Sequence, residues 1–163
     1  MSCSGADIDT ALESAWRFLS RQARSVAEVR EHLARENFSR GTIAHTLKEL
    51  SRDGYLDDYQ LGCDLLRLAR ARGWGSYRAM GKLQARGLTA EVIERCLAEG
   101  WDTEAEMAAA LEAARKRLAA LGRRESTMWP RVARFLQGRG FPSEVIKKVR
   151  AQLLLPSAPG EPE

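Results

Sequence analysis

The chain has 163 residues, of which 44% are apolar and 29% charged, a balance typical of folded soluble proteins rather than disordered ones. No apolar run approaches the roughly 20 residues that span a bilayer, and the first ten residues do not resemble a signal peptide. We therefore expect a cytoplasmic protein. The formal net charge is +4, and residues 115–150 hold eleven basic residues against two acidic ones. This region predicts an anionic partner, although a solvated helix face has a similar composition.

Apolar side chains recur every three or four residues, which predicts amphipathic helices. No stretch alternates with a period of two residues, so strands are not expected. The third of three long apolar stripes runs from Met107 to Leu121. The first two stripes contain Leu12, Ala15, Trp16 and Leu19, and then Leu61, Leu65, Leu68 and Ala69.

Helix starts are predicted by three capping boxes, in which a hydroxyl residue precedes a glutamate by three positions. They are Thr10-x-x-Glu13, Ser25-x-x-Glu28 and Thr103-x-x-Glu106. The second box opens a helix that follows the first apolar stripe, and the other two would begin long helices.

The chain also repeats itself. The segments "LARENFSRGTI" (33–43), "LQARGLTAEVI" (83–93) and "LQGRGFPSEVI" (136–146) align without a gap. Asn37, Gly87 and Gly140 occupy the same position, where a left-handed residue would close one helix before the next begins. Three copies of one turn indicate three related helical units.

The sequence therefore predicts an all-α protein, a tandem of three helix-turn-helix-like repeats of three helices each, elongated and curved. Residues 10–57, 58–101 and 102–154 are the predicted repeats. Residues 1–9 are predicted to be flexible and residues 155–163 to be a disordered tail.

Catalytic and metal sites find little support. Cys3, Cys63 and Cys96 are scattered without C-x-x-C spacing and are expected to be free thiols, the last two as small core residues. His32 and His45 lack partners at ligand spacing. No glycine-rich phosphate loop or nucleophile motif is present. We expect no enzymatic activity, no metal and no cofactor.

A helix-turn-helix DNA-binding regulator is the alternative function, because a three-helix unit with a tight turn is the outline of that motif. The predicted recognition helix of the second repeat would expose Glu91, Glu94 and Glu99, which repel phosphate. Lys147, Lys148 and Arg150 of the third repeat would tolerate a DNA backbone. Only weak and non-specific DNA contact is expected from this face.

The stretch "GYLDD" (54–58) raises the question of a paired-carboxylate site. Gly54 suits a left-handed helix end, and Tyr55 and Leu56 are apolar enough to fill the joint between two repeats. Asp57, with Gln60 three positions later, would cap the next helix, and Asp58 would favour its positive end. We interpret both aspartates as structural.

The aromatic residues are weighed in the same way. Trp16 lies in the first apolar stripe, so core packing is expected there rather than base stacking. Trp74, Trp101 and Trp129 lie near helix ends and are expected to fill joints. Tyr77 is the aromatic residue most readily expected at the surface.

Taken together, "FLSRQARSVAEVREHLARENFSRGTIAHTLKELSRDGYLDD", "GSYRAMGKLQARGL" and "RFLQGRGFPSEVIKKV" resemble the RecX family over roughly residues 10–152. Asn37 replaces a glycine common in the first turn of that family, and "GWGSY" (73–77) departs from its usual second-repeat pattern. The resemblance implies a monomeric regulator that binds the RecA recombinase, as monomer and as filament on single-stranded DNA. It implies inhibition of RecA ATPase and strand exchange, and so control of homologous recombination, DNA repair and the SOS response.

Two groups of residues carry the expected interactions. The inter-repeat signature is Gly54, Tyr55, Leu56, Asp57 and Asp58. The basic region that would face acidic RecA surface or DNA phosphate contains Arg115, Lys116, Arg117, Arg123, Arg124, Arg131, Arg134, Arg139, Lys147 and Lys148.

Overall fold

The computed structural model describes residues 5–121 and 125–154. In these ranges the chain forms nine α-helices and no strand, which confirms the predicted all-α fold. The helices are α1 (Gly5–Leu19), α2 (Val26–Arg35), α3 (Arg40–Arg52), α4 (Asp58–Ala71), α5 (Ser76–Ala85), α6 (Ala90–Gly100), α7 (Thr103–Leu121), α8 (Glu125–Gly138) and α9 (Ser143–Leu154).

The chain packs as two compact units. The first comprises Met1–Leu66 and Gly81–Glu99, and the second comprises Arg67–Met80 and Gly100–Glu163. In the first unit α1, α2 and α3 pack on one another, and in the second unit α7, α8 and α9 do the same. Both α4 and α5 begin in one unit and end in the other. The repeat boundaries predicted from the sequence stay a prediction. The predicted second repeat keeps α4 and α5 whole, whereas the two compact units split both helices.

Each unit has its own apolar core. The core of the first unit gathers buried side chains from α1 to α3 together with Leu56. The second core is made by Phe141 and by small and branched residues of α7, α8 and α9. The buried members are Ala11, Ala15, Val29, Leu33, Ile43, Leu47, Leu50 and Leu56 in the first unit, and Ala110, Ala114, Val132, Leu136, Phe141 and Val149 in the second.

The repeated turn has the predicted backbone. Asn37, Gly87 and Gly140 have φ values of 66°, 74° and 83°. In each copy the apolar residue after the turn donates its N–H to the carbonyl oxygen of the leucine that starts the aligned segment, for example Phe38 to Leu33 over 3.3 Å. The same pattern closes α3, where Tyr55 donates to the Leu50 carbonyl over 2.9 Å after the left-handed Gly54, so a left-handed residue ends each of these helices.

Of the three predicted capping boxes, one is confirmed. Ser25 and Glu28 form a complete capping box at the start of α2. The prediction for Thr10 is wrong, because α1 already begins at Gly5 and the Thr10 hydroxyl donates to the Ala6 carbonyl inside the helix. The prediction for Thr103 is wrong as well: Asp102 caps α7, accepting from the N–H groups of residues 104 and 105.

The expectation that Trp16 packs in the core is wrong. Trp16 is 39% exposed and meets Tyr55 edge to face, with ring centroids 4.1 Å apart. Ala11 and Ala15 of the same stripe are fully buried, so α1 packs with its small residues and leaves the indole at the rim. Tyr77 is 59% exposed, as predicted.

Candidate anion-binding groove

A groove of about 560 Å³ in the second unit is lined mainly by basic side chains. The end of α4 and the turn after it form one wall, and α7 and α8 form the others. Glu112 is the one acidic side chain among the described lining residues, and it pairs with Lys116 at 2.5 Å. The basic lining residues are Arg70, Arg72, Lys116, Arg117 and Arg139.

Small residues of α7 keep this groove open. Ala109, Ala113 and Ala120 line it at positions separated by one and two helical turns, so they lie on one side of the helix. Methyl side chains leave the space that larger residues would fill. Lys116 and Arg117 on the same helix are both exposed, and both line the groove beside these alanines.

Phe135 of α8 organises two of the arginines. The guanidinium carbons of Arg117 and Arg139 lie 5.4 Å and 5.1 Å from its ring centroid, within the range of cation–π attraction. Arg139 also donates from Nη1 to the carbonyl oxygens of Arg72 and Gly73, each over 3.3 Å. Arg139 is therefore held in place by ring and backbone contacts rather than by a carboxylate.

A smaller depression of about 290 Å³ continues the basic surface. Arg117 and Phe135 line both cavities, and Arg131 and Arg134 line only the second. We call the two cavities together the arginine groove. Among the described residues, none of the arginines that line it forms an ion pair with a carboxylate.

The chemistry of the arginine groove follows from this arrangement. A guanidinium presents a planar set of donors that matches carboxylate and phosphate oxygens, often two bonds at a time. Arginines without an internal carboxylate keep those donors available. No group of three or more potential metal ligands exists in the part of the chain that the structure describes. The groove is therefore suited to binding anions.

Two glycines set the turn beside the groove. A Cβ added at Gly75 would lie 2.3 Å from the carbonyl oxygen of Gly140, so the two turns touch through their backbones. The N–H of Gly75 donates to the Arg139 carbonyl over 2.9 Å, and the N–H of Tyr77 donates to the Gly140 carbonyl over 3.0 Å. The unusual "GWGSY" stretch thus has a packing role, and it supports the turn that carries Arg72.

Five of the predicted basic residues lie in the arginine groove. They are Lys116, Arg117, Arg131, Arg134 and Arg139. Arg115 is exposed on α7 but does not line either cavity, and Lys148 is exposed on α9. Lys147, also on α9, pairs with Glu144 at 2.8 Å. Arg123 and Arg124 lie outside the described residues.

Sequence reasoning missed Arg70 and Arg72. They lie more than 40 residues before the basic run, at the end of a helix that looked like an ordinary amphipathic one. The sequence shows only that both arginines stand within three residues of Gly73, and this does not indicate that they approach α7 and α8. Only the fold of the second unit brings them to α7 and α8.

The GYLDD residues lie in and after the turn that ends α3. Gly54 has a φ of 79°, Leu56 is buried, and Tyr55 is 55% exposed, so Leu56 rather than Tyr55 fills the space below the turn. Asp57 caps α4, as predicted, since its Oδ1 accepts from the Gln60 N–H over 2.8 Å. Asp58 reaches another helix: its Oδ1 accepts from the Val26 N–H at the start of α2 over 2.9 Å.

The start of α2 is the centre of a polar network in the first unit. Glu28 accepts from Arg86 Nε and Nη2 over 3.0 Å and 2.8 Å and from the Ser25 N–H over 2.8 Å. Burial raises the pKa of Glu28, but the bonds from Arg86 and Ser25 and nearby positive charge outweigh it and lower the pKa. Burial raises the pKa of Asp58, against the opposing effect of its bond from Val26.

The fold and this basic surface define an all-α repeat protein with an arginine-lined groove suited to anions. Comparison with known families is specific: residues 11–50 match the first three-helix domain of RecX, and residues 104–149 match the third. The chain belongs to the RecX family.

Named relatives extend this match over most of the chain. The regulatory protein RecX of Halorhodospira halophila is 31% identical over 93% of this chain and 92% of its own length. The regulatory protein RecX of Thermus thermophilus is 36% identical over 81% of this chain and 84% of its own length. Both relatives are named as regulatory proteins.

Solved structures share the fold. The crystal structure of RecX from Lactobacillus salivarius superposes with a TM-score of 0.84 at 17% identity, covering 92% of this chain and 98% of that one. A second RecX crystal structure gives a TM-score of 0.75 at 19% identity over 89% of this chain and 72% of its own. No helix in the described residues is long and apolar enough to cross a membrane.

Proposed function

We propose that this chain is a cytoplasmic regulator of a RecA recombinase, binding RecA and its filament on single-stranded DNA. It inhibits ATP hydrolysis and strand exchange, and thereby modulates homologous recombination, DNA repair and the SOS response. It acts as a monomer and has no catalytic activity. The observation that carries this proposal is the arginine groove, present in a chain of the RecX family.

The groove would act through its unpaired guanidinium groups. Arg70 and Arg117 line it without an internal carboxylate partner among the described residues, so an acidic patch of RecA or the phosphates of filament DNA would complete their bonding. A regulator shifts assembly only by the difference in its affinity for filament and free protomers. Inhibition therefore requires that the groove bind one of these states more tightly.

The remaining predicted residues have a separate role in this proposal. The signature residues Gly54 to Asp58 order the junction between the first two predicted repeats, because Asp57 caps α4 while Asp58 holds the start of α2. Arg115, Lys147 and Lys148 would add long-range attraction rather than direct contact in the groove.

The helix-turn-helix alternative gains no support from α6. Its Arg95 forms an ion pair with Glu99 at 3.0 Å, and Glu91 and Glu94 are exposed on the same helix. A phosphate backbone would be repelled by this face. Direct DNA binding by the chain is therefore expected to be weak and independent of sequence.

The test is a titration of the purified chain into its cognate RecA on single-stranded DNA, with ATPase rate and strand exchange as readouts. Anisotropy of a labelled oligothymidine measures DNA occupancy in the same buffers. The expected result is inhibition at chain concentrations well below those that occupy DNA. Normal ATPase and strand exchange at every ratio of chain to RecA would refute the proposal.

The salt dependence of inhibition distinguishes DNA phosphate from acidic RecA surface as the contact of the groove. If phosphate is the main contact, inhibition should follow DNA occupancy and fall steeply with added salt, because counterions are released on binding. If the contact is RecA surface, inhibition should persist at salt concentrations that remove the chain from free oligothymidine. A helix-turn-helix regulator would show neither pattern and would bind duplex DNA with sequence preference.

A further inference from the structure

A further cavity of about 140 Å³ in the second unit adjoins the arginine groove. The half-buried indoles of Trp74 and Trp101 line it, and we call it the tryptophan pocket. Arg70 and Ala109 line both this pocket and the arginine groove, so the two cavities meet between the end of α4 and α7. The proposed function makes no use of the tryptophan pocket.

The polar lining of the tryptophan pocket consists mainly of hydrogen-bond acceptors. Among the described lining residues, the charged groups other than Arg70 are the carboxylates of Asp102 and Glu106. Glu106 is 6% exposed, and its two oxygens accept from the Ser76 N–H over 2.6 Å and from Trp101 Nε1 over 3.0 Å. A carboxylate can accept about four hydrogen bonds, so Glu106 is fixed in position and keeps acceptor capacity for a ligand that donates.

The two indoles are held in place by contacts within the second unit. The guanidinium carbons of Arg78 and Arg72 lie 4.2 Å and 5.4 Å from the Trp74 ring centroid. Trp101 is anchored by its hydrogen bond to Glu106. Fixed aromatic walls favour a planar ring, which can pack on them offset or edge to face. A cavity of roughly 150 Å³ can hold a benzene-sized ring, so the tryptophan pocket has room for one six-membered ring.

We propose that the tryptophan pocket and the arginine groove together bind a cytosine nucleotide, with its base in the pocket and its phosphates in the groove. Cytosine is a single ring whose amino group donates hydrogen bonds, whereas uracil, like thymine, has a carbonyl oxygen at that position. Asp102 and Glu106 would accept from the amino group and would repel the carbonyl oxygen. Arg70, which lines both cavities, would donate to a phosphate.

This proposal rests on the proposed function only in taking the arginine groove as an anion site. A bound nucleotide would occupy arginines that the proposed partner also uses, so the two ligands would compete. Nucleotide binding is measured without RecA, which keeps the two failures distinguishable. A chain that binds the nucleotide but does not inhibit RecA would refute only the proposed function, and a chain that inhibits RecA without binding the nucleotide would refute only this proposal.

The test is a calorimetric titration of the full chain with cytidine diphosphate, uridine diphosphate, adenosine diphosphate and cytidine at one ionic strength. Cytidine diphosphate should bind at a single site at least roughly tenfold more tightly than uridine diphosphate or cytidine, because each of these lacks charge-assisted hydrogen bonds that it makes. Adenosine diphosphate should also bind more weakly, because its two-ring base exceeds the pocket. Equal binding of cytidine and uridine diphosphates, or equal binding of cytidine and adenosine diphosphates, would overturn the proposal.

The same chemistry is available from a free nucleotide and from a cytosine within single-stranded DNA. Oligodeoxycytidine and oligothymidine of equal length, titrated in the same buffer, distinguish these sources. Saturable binding of cytidine diphosphate identifies a free nucleotide as ligand. Binding of oligodeoxycytidine alone, at least roughly tenfold more tightly than oligothymidine, identifies a cytosine of a strand. The absence of a preference for cytosine in both forms overturns the proposal.

A matched pair of variants locates the binding. Ala105 is an exposed residue of α7 that lines the tryptophan pocket. Ala108, three positions later, is exposed and absent from the described lining of the pocket and of the groove. Ala105→Leu fills the pocket without changing charge, so it should weaken binding of the cytosine ligand at least roughly tenfold and remove the preference over uracil or thymine.

Ala108→Leu should bind as the parent chain does, because it adds the same side chain to the same helix outside the pocket. Circular dichroism verifies that both variants keep the helix content and melting temperature of the parent. Equal binding of the cytosine ligand by Ala105→Leu and the parent chain, or an equal loss in both variants, would overturn the assignment of the base to this pocket.

Discussion

Several arginines of the first unit have carboxylate partners that the groove arginines of the second unit lack. In the first unit Arg24, Arg35, Arg52, Arg86 and Arg95 each lie within 4 Å of a carboxylate. In the second unit Arg117 and Arg139 of the groove lie over the Phe135 ring, and Arg139 also donates to backbone carbonyls. Among the described residues, none of the groove arginines forms an ion pair with a carboxylate. Both units contain the same residue type on similar helices, so the local sequence alone does not reveal which arginines are free to bind a partner.

The difference shows what an internal carboxylate does. Arg86 is largely enclosed, and its bidentate pair with Glu28 meets its bonding requirement within the chain. Removing either partner would leave the other uncompensated. Arg117 and Arg139 of the groove are held by the Phe135 ring, and Arg139 also by backbone carbonyls, so both are positioned without a carboxylate that would neutralise their charge. Pairing contributes to the stability of the first unit, and its absence in the groove leaves the arginines there available for the proposed partner.

The largest expected effect comes from the glycine contact that positions the groove wall. Gly75→Ala would place a methyl carbon 2.3 Å from the Gly140 carbonyl oxygen, forcing the two turns apart. We expect a loss of about 3 kcal/mol of unfolding free energy, as for severe overpacking, measured by urea denaturation. Gly138→Ala is the control, since a Cβ there meets nothing within 4 Å. Equal stability of the two variants would contradict the backbone contact.

Arg86 tests the structural role of pairing in the first unit. Arg86→Ala removes two bonds to Glu28 and one to the Ala23 carbonyl. The expected loss is about 2 kcal/mol, typical of a charged hydrogen-bond partner in a half-buried site. Arg95→Ala breaks an exposed pair with Glu99 one helical turn away and should change stability little. If both variants unfold at the same urea concentration, the distinction fails.

In the polar network at the start of α2, acidification should affect the contributions of Glu28 and Asp58 to stability in opposite directions. The pKa of Glu28 is lowered, so its contribution is present above the ordinary value of 4.5 and is lost as pH falls through the lowered pKa. The pKa of Asp58 is raised, so its ionised form costs stability at neutral pH, and that cost disappears as pH falls.

Two amide variants distinguish these carboxylates in thermal melts between pH 3 and pH 7. Glu28→Gln should lower the melting temperature at pH 7 and reduce the loss seen on acidification. Asp58→Asn keeps an oxygen that can accept from Val26 without the cost of burying a charge. It should therefore melt at or slightly above the parent temperature at pH 7. A large drop in its melting temperature would show that the charge of Asp58 is required.

The helices and turns could be predicted from the sequence because the residues that determine them lie close together in the chain. Asn37, Gly87 and Gly140 mark left-handed positions, and their spacing reveals the repeat. The cap at Thr103 failed because Asp102, one residue earlier, is a stronger acceptor for the free N–H groups. Glu106 instead turns inward and accepts from the Ser76 N–H and the Trp101 Nε1.

Only part of the arginine groove could be predicted from the sequence. The excess of basic residues in the sequence predicts its α7 and α8 arginines. Arg70 and Arg72 join the groove only through the packing of the second unit, which no local sequence pattern indicates. Trp16 is a second residue whose environment depends on tertiary packing rather than on local sequence. Periodicity places it on the buried stripe, but the small residues Ala11 and Ala15 take the core position and leave the indole exposed.

The central claim is that unpaired arginines of the second unit bind the anionic partner. The direct measurement is inhibition of the RecA ATPase by two triple variants with the same net charge. One carries Arg70→Glu, Arg117→Glu and Arg134→Glu in the arginine groove, and the control carries Arg21→Glu, Arg40→Glu and Lys48→Glu at exposed positions of the first unit. Both should keep the parent helix content and melting temperature.

The groove variant should need at least roughly tenfold more protein for half-maximal inhibition, because several charge-assisted bonds are replaced by repulsion. The first-unit variant should inhibit nearly as well as the parent chain. Equal inhibition by the groove variant and the parent, or equal loss in both variants, would contradict the account.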